Sequence, residues 1–333
     1  MVGFNEKAKT VNALVIGATG FIGSNLVRYL IRNDYNVRIY RRSSSSLKNL
    51  SGLNYDDMIG DILDEGSLTK AIEGCQAVFN LAACTSSLKK DNELGTLINV
   101  KAVGTIARAV RKNGHARLVH VSSIAAVGAP RRRETADEDF CFNKKIDIYA
   151  YTKYLGEQDV LKEVLLGLDA VIACPGNVVG CRGMKEIQLS TFKNIAAGKM
   201  NIYPGGGVCL TDVDDLVRGL VLCFKKGVRG KRYILGGNNV SYKRYLDEIA
   251  LATGGRGPKI RLPRPMLLFM GMAAEVVFGL MGKDPFISRD TADVISSNLF
   301  YSSNLAIKEL GYTITDFSET IRKAAEVLKG LNE

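Results

Sequence analysis

Tyr149 and Lys153 stand four residues apart in the segment Tyr149-Ala150-Tyr151-Thr152-Lys153. On a helix that spacing puts both side chains on one face, so a phenol and an ammonium can serve one ligand. A phenol with a pKa near ~10 is a poor base at neutral pH. An ammonium about 4 Å away favours the phenolate by up to ~4 kcal/mol at an effective dielectric of ~20, or about three pKa units. Such a pair suits proton transfer at an alcohol or carbonyl oxygen. Ser122 and Ser123 follow the apolar segment Arg117–Val121, and a hydroxyl at that edge can hydrogen-bond the reacting oxygen. Asn99 is polar in a mostly apolar frame. It either holds a water or a backbone carbonyl behind the lysine, or lies on a helix surface. With thirteen tyrosines in the chain, a Tyr-x-x-x-Lys spacing decides little without its surroundings.

The surroundings include Gly17-Ala18-Thr19-Gly20-Phe21-Ile22-Gly23, between a strand-like and a helix-like segment. Gly17 permits a tight turn, Gly20 lets a pyrophosphate approach the backbone, and Gly23 lets helix and strand pack closely. The helix that follows offers free N–H groups and a partial positive charge to phosphates. A dinucleotide is therefore expected. About 20 residues further on, NAD-binding folds place a carboxylate for the ribose 2′-hydroxyl. Tyr40-Arg41-Arg42-Ser43 stands there instead. Guanidinium groups cannot accept from a hydroxyl but can grip a 2′-phosphate, so NADP is expected, with NAD as second choice.

These residues need a scaffold. Val11–Ile16, Val37–Tyr40, Ala77–Leu81, Arg117–Val121 and Ala170–Ala173 read as buried strands. Between them, Phe21–Arg32, Leu68–Glu73 (closed by Gly74), Asn92–Asn113 and Tyr149–Leu166 read as helices. The alternation predicts an α/β, Rossmann-type doubly wound parallel sheet covered on both faces, with ligands at its carboxyl edge. Past residue 176 the rhythm loosens. Asp214–Phe224 reads as a helix, Arg232–Leu235 as a returning strand, and Ser241–Thr253 as a helix capped by Ser241. The division expected is a dinucleotide-binding domain over 10–176, rejoined by 211–240, and a smaller C-terminal substrate lobe from 177–210 and 241–330.

Composition narrows the function. Two histidines, and seven cysteines with no Cys-x-x-Cys pair, argue against a metal site and a disulfide framework. They fit a reducing compartment, and the start shows no secretory pattern, so a cytoplasmic protein is expected. The formal net charge is +11, yet the basic residues form no long tract with interleaved aromatics, so nucleic acid is not expected as a partner. Arg131–Arg133, with the acids that follow, reads as a solvated loop. Pro265–Gly282 is apolar except for Glu275 and shorter than the ~20 residues that span a bilayer. It reads as a buried helix roofing a pocket or, beside Arg261, Arg264 and Lys283, as an interfacial helix in peripheral contact with a membrane.

Taken together, these motifs resemble the extended short-chain dehydrogenase/reductase family over nearly the whole chain. The matching stretches add Gly60-Asp61-Ile62, Asn80-Leu81-Ala82-Ala83, Cys174-Pro175-Gly176 and Asp212-Val213-Asp214-Asp215. The resemblance implies that Tyr149 is the general acid/base and that Lys153 binds the nicotinamide ribose. It implies that Ser123 positions the substrate oxygen, with Ser122 as fallback, and that Asn99 belongs to the catalytic set. Asp61 and Ile62 would contact adenine. Leu81, Ala82, Ala83, Pro175, Asn177 and Val178 would line the cofactor. Thr85 and Asn177 would face a small-molecule substrate, and Asp214 would be structural. A homodimer through the helices of Asn99 and Tyr149 is likewise implied.

Within the family, the later segments are similar to dihydroflavonol-reductase-like and hopanoid-associated sugar-epimerase-like members. Nucleotide-sugar enzymes usually carry an arginine near Val208 to grip the substrate diphosphate, and here none is present. The expectation is an NADP-dependent secondary alcohol dehydrogenase or ketone reductase with an apolar substrate. A sugar 4-epimerase retaining NAD, or a cofactor-binding sensor without turnover, are the alternatives.

Overall fold

The computed structural model describes residues 10–86, 89–130, 134–143, 147–184, 186–281, 284–285 and 287–329. The expected loop Arg131–Arg133 and Lys283 lie outside these residues. Seven parallel strands form the main sheet: β1 (Asn12–Ile16), β2 (Asn36–Arg41), β3 (Asp56–Ile59), β4 (Ala77–Asn80), β5 (Arg117–Val121), β6 (Ala170–Pro175) and, after β7–β9 of the lobe, β10 (Arg232–Leu235). Their order is β10-β6-β5-β4-β1-β2-β3. The order reverses between β1 and β4, which opens a crevice above their carboxyl ends.

Alternation along the strands divides the core. Ala13 and Val15 face one layer, with α1 (Phe21–Arg32) and, further along the chain, α8 (Val213–Lys226). Leu14 and Ile16 face the other, with α2 (Glu65–Ile72), α4 (Ala102–Asn113) and α6 (Ile148–Leu165). Three short helices complete the set near these layers: α3 (Asn92–Thr96), α5 (Ile124–Val127) and α12 (Asn304–Leu310). Helix α2 begins three residues earlier than its apolar period suggests, because Asp64 caps it by accepting from the Gly66 and Ser67 amides.

The helix expected over Asn92–Asn113 is present but not uniformly α. A π turn over Leu97–Lys101 separates α3 from α4. Such a turn takes an additional residue and often marks a functional site.

The smaller lobe carries β7 (Asn177–Val179), β9 (Gly207–Asp212), β11 (Asn238–Ser241) and β13 (Asn298–Leu299) in one sheet, with β8 (Ile202–Pro204) and β12 (Ile260–Leu262) paired beside it. Helices α7 (Glu186–Ala196), α9 (Tyr242–Thr253) and α13 (Phe317–Lys329) contribute Phe192, Ile249 and Ile321 to its core. Helices α10 (Arg264–Leu280) and α11 (Arg289–Ser296) pack on each other. The chain crosses back once more than expected: Ala306, Leu310 and Tyr312 enter the main core beside α8 and β10.

Gly23 shows how closely α1 meets β1. A Cβ built there would lie 2.2 Å from the Gly17 carbonyl oxygen and 2.8 Å from Ala18 Cα, both backbone. Gly23→Ala should therefore lower stability by roughly 3 kcal/mol and weaken dinucleotide binding, read by urea denaturation and cofactor titration.

Candidate active site

At the crevice lies a cavity of about 600 Å³. It brings together Gly17, Gly20, Phe21, Ile22 and Gly23 from the glycine turn, Leu81, Ala83 and Thr85 from the loop after β4, Ser122 and Ser123, Tyr149 and Lys153, and Asn177 and Val178. The expected residues Thr19, Arg41, Arg42, Asp61, Ile62, Ala82, Asn99 and Pro175 are not in its wall.

The turn fits phosphates. Gly17 has φ +82°, and a Cβ there would strike the Leu81–Ala82 peptide at 2.8 Å. Gly20 caps α1 without a side chain, so no side-chain oxygen takes the helix's first N–H groups. A Cβ on Gly20 would meet nothing nearer than 3.5 Å, which leaves open space over the helix end. Ser122 Oγ is buried and has no hydrogen-bond partner among the described residues. A free helix N-terminus, open room above it and an unpartnered hydroxyl suit the dinucleotide, which Gly17–Gly23, Leu81, Ala83 and Lys153 would hold.

Asn80 and Asn99 shape the loop between the turn and α6. Asn80 Oδ1 accepts from the Ala82 amide at 3.2 Å, while its Nδ2 approaches His120 Nδ1 at 3.3 Å. Asn99 is buried, not on a helix surface. It accepts from the Cys84 amide and donates to the Cys84 carbonyl, both at 2.9 Å, and also donates to Thr152 Oγ at 3.0 Å. It thus does hold a backbone carbonyl, that of the loop after β4. The π turn also brings the Asn99 carbonyl onto α6, where a Cβ at Gly156 would lie 2.2 Å from it.

Helix α6 starts at Asp147, which accepts from the Ala150 amide at 3.0 Å. Tyr149 is partly exposed at the cavity wall. The expected acidification by Lys153 does not emerge from the site's geometry. Burial raises the Tyr149 pKa, and the opposing influence is a hydrogen bond with Ser123. Lys153 is buried, and its Nζ donates to the Val121 carbonyl at 2.8 Å. Burial lowers its pKa to about 8, against the opposing charge of Glu157.

Glu157, one turn beyond Lys153, was not anticipated as part of the site, although its spacing was visible. It is fully buried, pairs with Arg232 on β10, and accepts from Cys174 Sγ at 3.4 Å. The lobe's contribution also lay beyond motif reading. Ile187 and Gln188 on α7, Tyr242, Val294, Leu299 and Tyr301 reach the cavity from separate segments. Gln188 donates to the Val178 carbonyl at 2.8 Å and leaves its buried Oε1 unpartnered among the described residues.

Two expectations require correction. The apolar segment Pro265–Gly282 provides no roof, since none of its described residues lines the cavity. It seats on α11, and α11 supplies Val294 instead. Asp214 is exposed, whereas Asp212 caps α8 and Asp215 holds the Thr315 amide at 2.6 Å. The arginines also separate. Arg41 forms a two-point pair with Asp57 at 2.8 and 2.6 Å, leaving Arg42 exposed at the strand end.

The profile of the NAD dependent epimerase/dehydratase family matches residues 13–236, and the chain belongs to that family, within the extended short-chain dehydrogenase/reductases. It is 33% identical to a putative dihydroflavonol 4-reductase of Synechocystis sp., covering 93% of this chain and 92% of that one. It is 32% identical to sterol demethylase protein B of Methylococcus capsulatus, over 79% and 80% of the two chains. The crystal structure of gox2253 superposes with a TM-score of 0.85 at 29% identity, covering 97% of this chain and 99% of that one.

Two outcomes test the geometry around Lys153. Its pKa of about 8, against an ordinary 10.5, means that folding is penalised below pH 8 and that the penalty fades as pH rises towards 10.5. Lys153→Met should remove this climb in the denaturant midpoint. Glu157→Gln should leave Arg232 without its buried partner and cost roughly 3 kcal/mol. It should also shift the climb to lower pH, because the lysine loses a counter-charge; urea melts across this pH range read both.

Proposed function

We propose that the protein is an NADP-dependent oxidoreductase that interconverts a secondary alcohol and a ketone on an apolar, polycyclic or lipid-like substrate. One observation carries this reading: a single cavity joins the glycine turn, Ser123 and Tyr149 to a wall that includes Ile124, Ile187, Val208, Val294 and Leu299. Those five side chains offer no charge to a sugar diphosphate and suit a hydrocarbon surface, and the neighbouring lobe residues Asn177, Gln188, Tyr242 and Tyr301 are polar but uncharged. Val208 stands in it where a diphosphate-gripping arginine was the alternative. A sterol-related protein and a reductase among the relatives point the same way.

When bound, the nicotinamide dinucleotide supplies the hydride donor or acceptor. Tyr149 gives a proton to the carbonyl oxygen in reduction and takes it from the hydroxyl in oxidation. Ser123, in the same cavity wall as the phenol, hydrogen-bonds the same oxygen and orients it towards Tyr149. Lys153 uses one N–H on Val121 and keeps two for a ribose hydroxyl or the phenolate as it forms. Asn99 acts at one remove, fixing the loop that carries Ala83 and Thr85. Arg42, at the end of β2, is the guanidinium available to a 2′-phosphate, because Arg41 is tied to Asp57.

Tyr149→Phe should lower kcat by ~10²–10⁴ while cofactor still binds, measured as NADPH oxidation with a panel of apolar ketones. Conversion of a nucleotide sugar with no net change in reduced cofactor would identify an epimerase instead. A protein that binds cofactor, turns nothing over and is indifferent to Tyr149→Phe would be a sensor. Arg42→Ala should raise the KM for NADPH ~10-fold or more and leave NADH nearly unchanged, whereas equal losses for both cofactors would remove the 2′-phosphate assignment.

A further inference from the structure

Helix α10 has one seated face and one bare face. Leu267, Gly271 and Ala274 are buried against the start of α11. A Cβ at Gly271 would lie 2.8 Å from the Ser288 carbonyl oxygen, and the Glu275 carboxylate accepts from the Arg289 amide at 3.1 Å. The helix is therefore held firmly. On its opposite side Met266, Phe269, Val276, Val277 and Leu280 are exposed, Phe269 by 67% and Leu280 by 86%. At 100° per residue these positions fall on one contiguous stripe, which contains no charged residue. A contiguous apolar patch of this kind marks an interaction site.

Charge at the helix's entry says what covers it. The strand leading into α10 exposes Lys259 and Arg261, with Arg256 just before. None of the three has an ion-pair partner among the described residues, whereas Arg264 is paired with Asp293 and Lys243 with Asp247. Between the cations, Ile260 is exposed and stands beside exposed Ile202 by the β8–β12 register. The whole chain carries +11. An apolar stripe entered through unpaired cations matches an anionic lipid surface, which supplies acyl chains and phosphates together. The helix has 17 residues, about 25 Å, and no helix among the described residues is long and apolar enough to cross a membrane. It can lie in the interface but not span it.

We propose that the exposed face of α10, with Arg256, Lys259 and Arg261, docks the protein onto anionic membrane surfaces. Docking brings the lobe to the lipid, and α11 is shared between the docked helix and the wall of the cavity, through Val294. The proposal does not depend on the oxidoreductase reading, since it is tested without turnover.

The test is co-sedimentation of the full chain with vesicles of phosphatidylcholine alone and of phosphatidylcholine mixed with phosphatidylglycerol. The expected result is sedimentation with the mixed vesicles, reduced ~10-fold or more by the double substitution Phe269→Asp, Val276→Asp, and similarly by high salt. Lys259→Glu with Arg261→Glu should weaken binding to mixed vesicles by about five-fold or more per charge, with unchanged behaviour on phosphatidylcholine. Circular dichroism melts check folding, and Met266→Asp with Leu280→Asp replaces the first pair should it fail to fold. Protein left in the supernatant with every vesicle overturns the proposal, as does equal sedimentation of wild type and apolar-face variant. A wild-type oligomer that Phe269→Asp, Val276→Asp dissociates, without vesicle binding, would show that a second copy covers the face.

Discussion

Lys153 carries its ammonium into the interior, with only 1% of the residue exposed, and the elements around it are arranged to hold that charge. A buried ammonium needs a hydrogen-bond acceptor and a counter-charge. The carbonyl at the end of β5 provides the first, and Glu157, one turn along α6, provides the second. Glu157 is itself fully buried and depends on Arg232 from β10 and on the Cys174 thiol of β6. A chain of polar contacts therefore ties α6 to three neighbouring strands beneath the carboxyl edge. The phenol of Tyr149 sits on the same helix, so its position follows from this anchorage.

A second constraint acts from the other side. The loop after β4 runs between the glycine turn and α6, with no regular structure of its own. Two asparagine side chains replace the missing ladder: Asn80 holds its beginning and Asn99 its middle. Asn99 can reach because the long helix widens into a π turn there, and the turn can approach because Gly156 has no side chain. The glycine turn, the loop and α6 thereby form one connected rim of the cavity.

The lobe completes the cavity wall. It adds side chains from α7, α9, α11 and β9, and those that face inward are mostly apolar. The glycine turn, Ser123, Tyr149 and Lys153 thus stand on the sheet edge and α6, while the facing wall is assembled from remote parts of the chain. The apolar helix α10 stands outside that wall and exposes Met266, Phe269, Val276, Val277 and Leu280.

Several elements were legible in the residues alone because local physics dictates them. Helix α1, strands β5 and β10 and helix α9 follow from hydrophobic period and from caps such as Ser241. The glycine turn and the Tyr149–Lys153 spacing are likewise short-range patterns, and the structure brings them to one cavity. The π turn was not legible, because it answers to contacts with Cys84 and Gly156, 15 and 57 residues from Asn99 in sequence. Nor could the sequence decide that Arg41 pairs with Asp57, that burial raises the Tyr149 phenol, or that α10 turns an apolar face outward. Each of these depends on which distant groups become neighbours and how much water is removed from between them, and only the packed tertiary structure determines that.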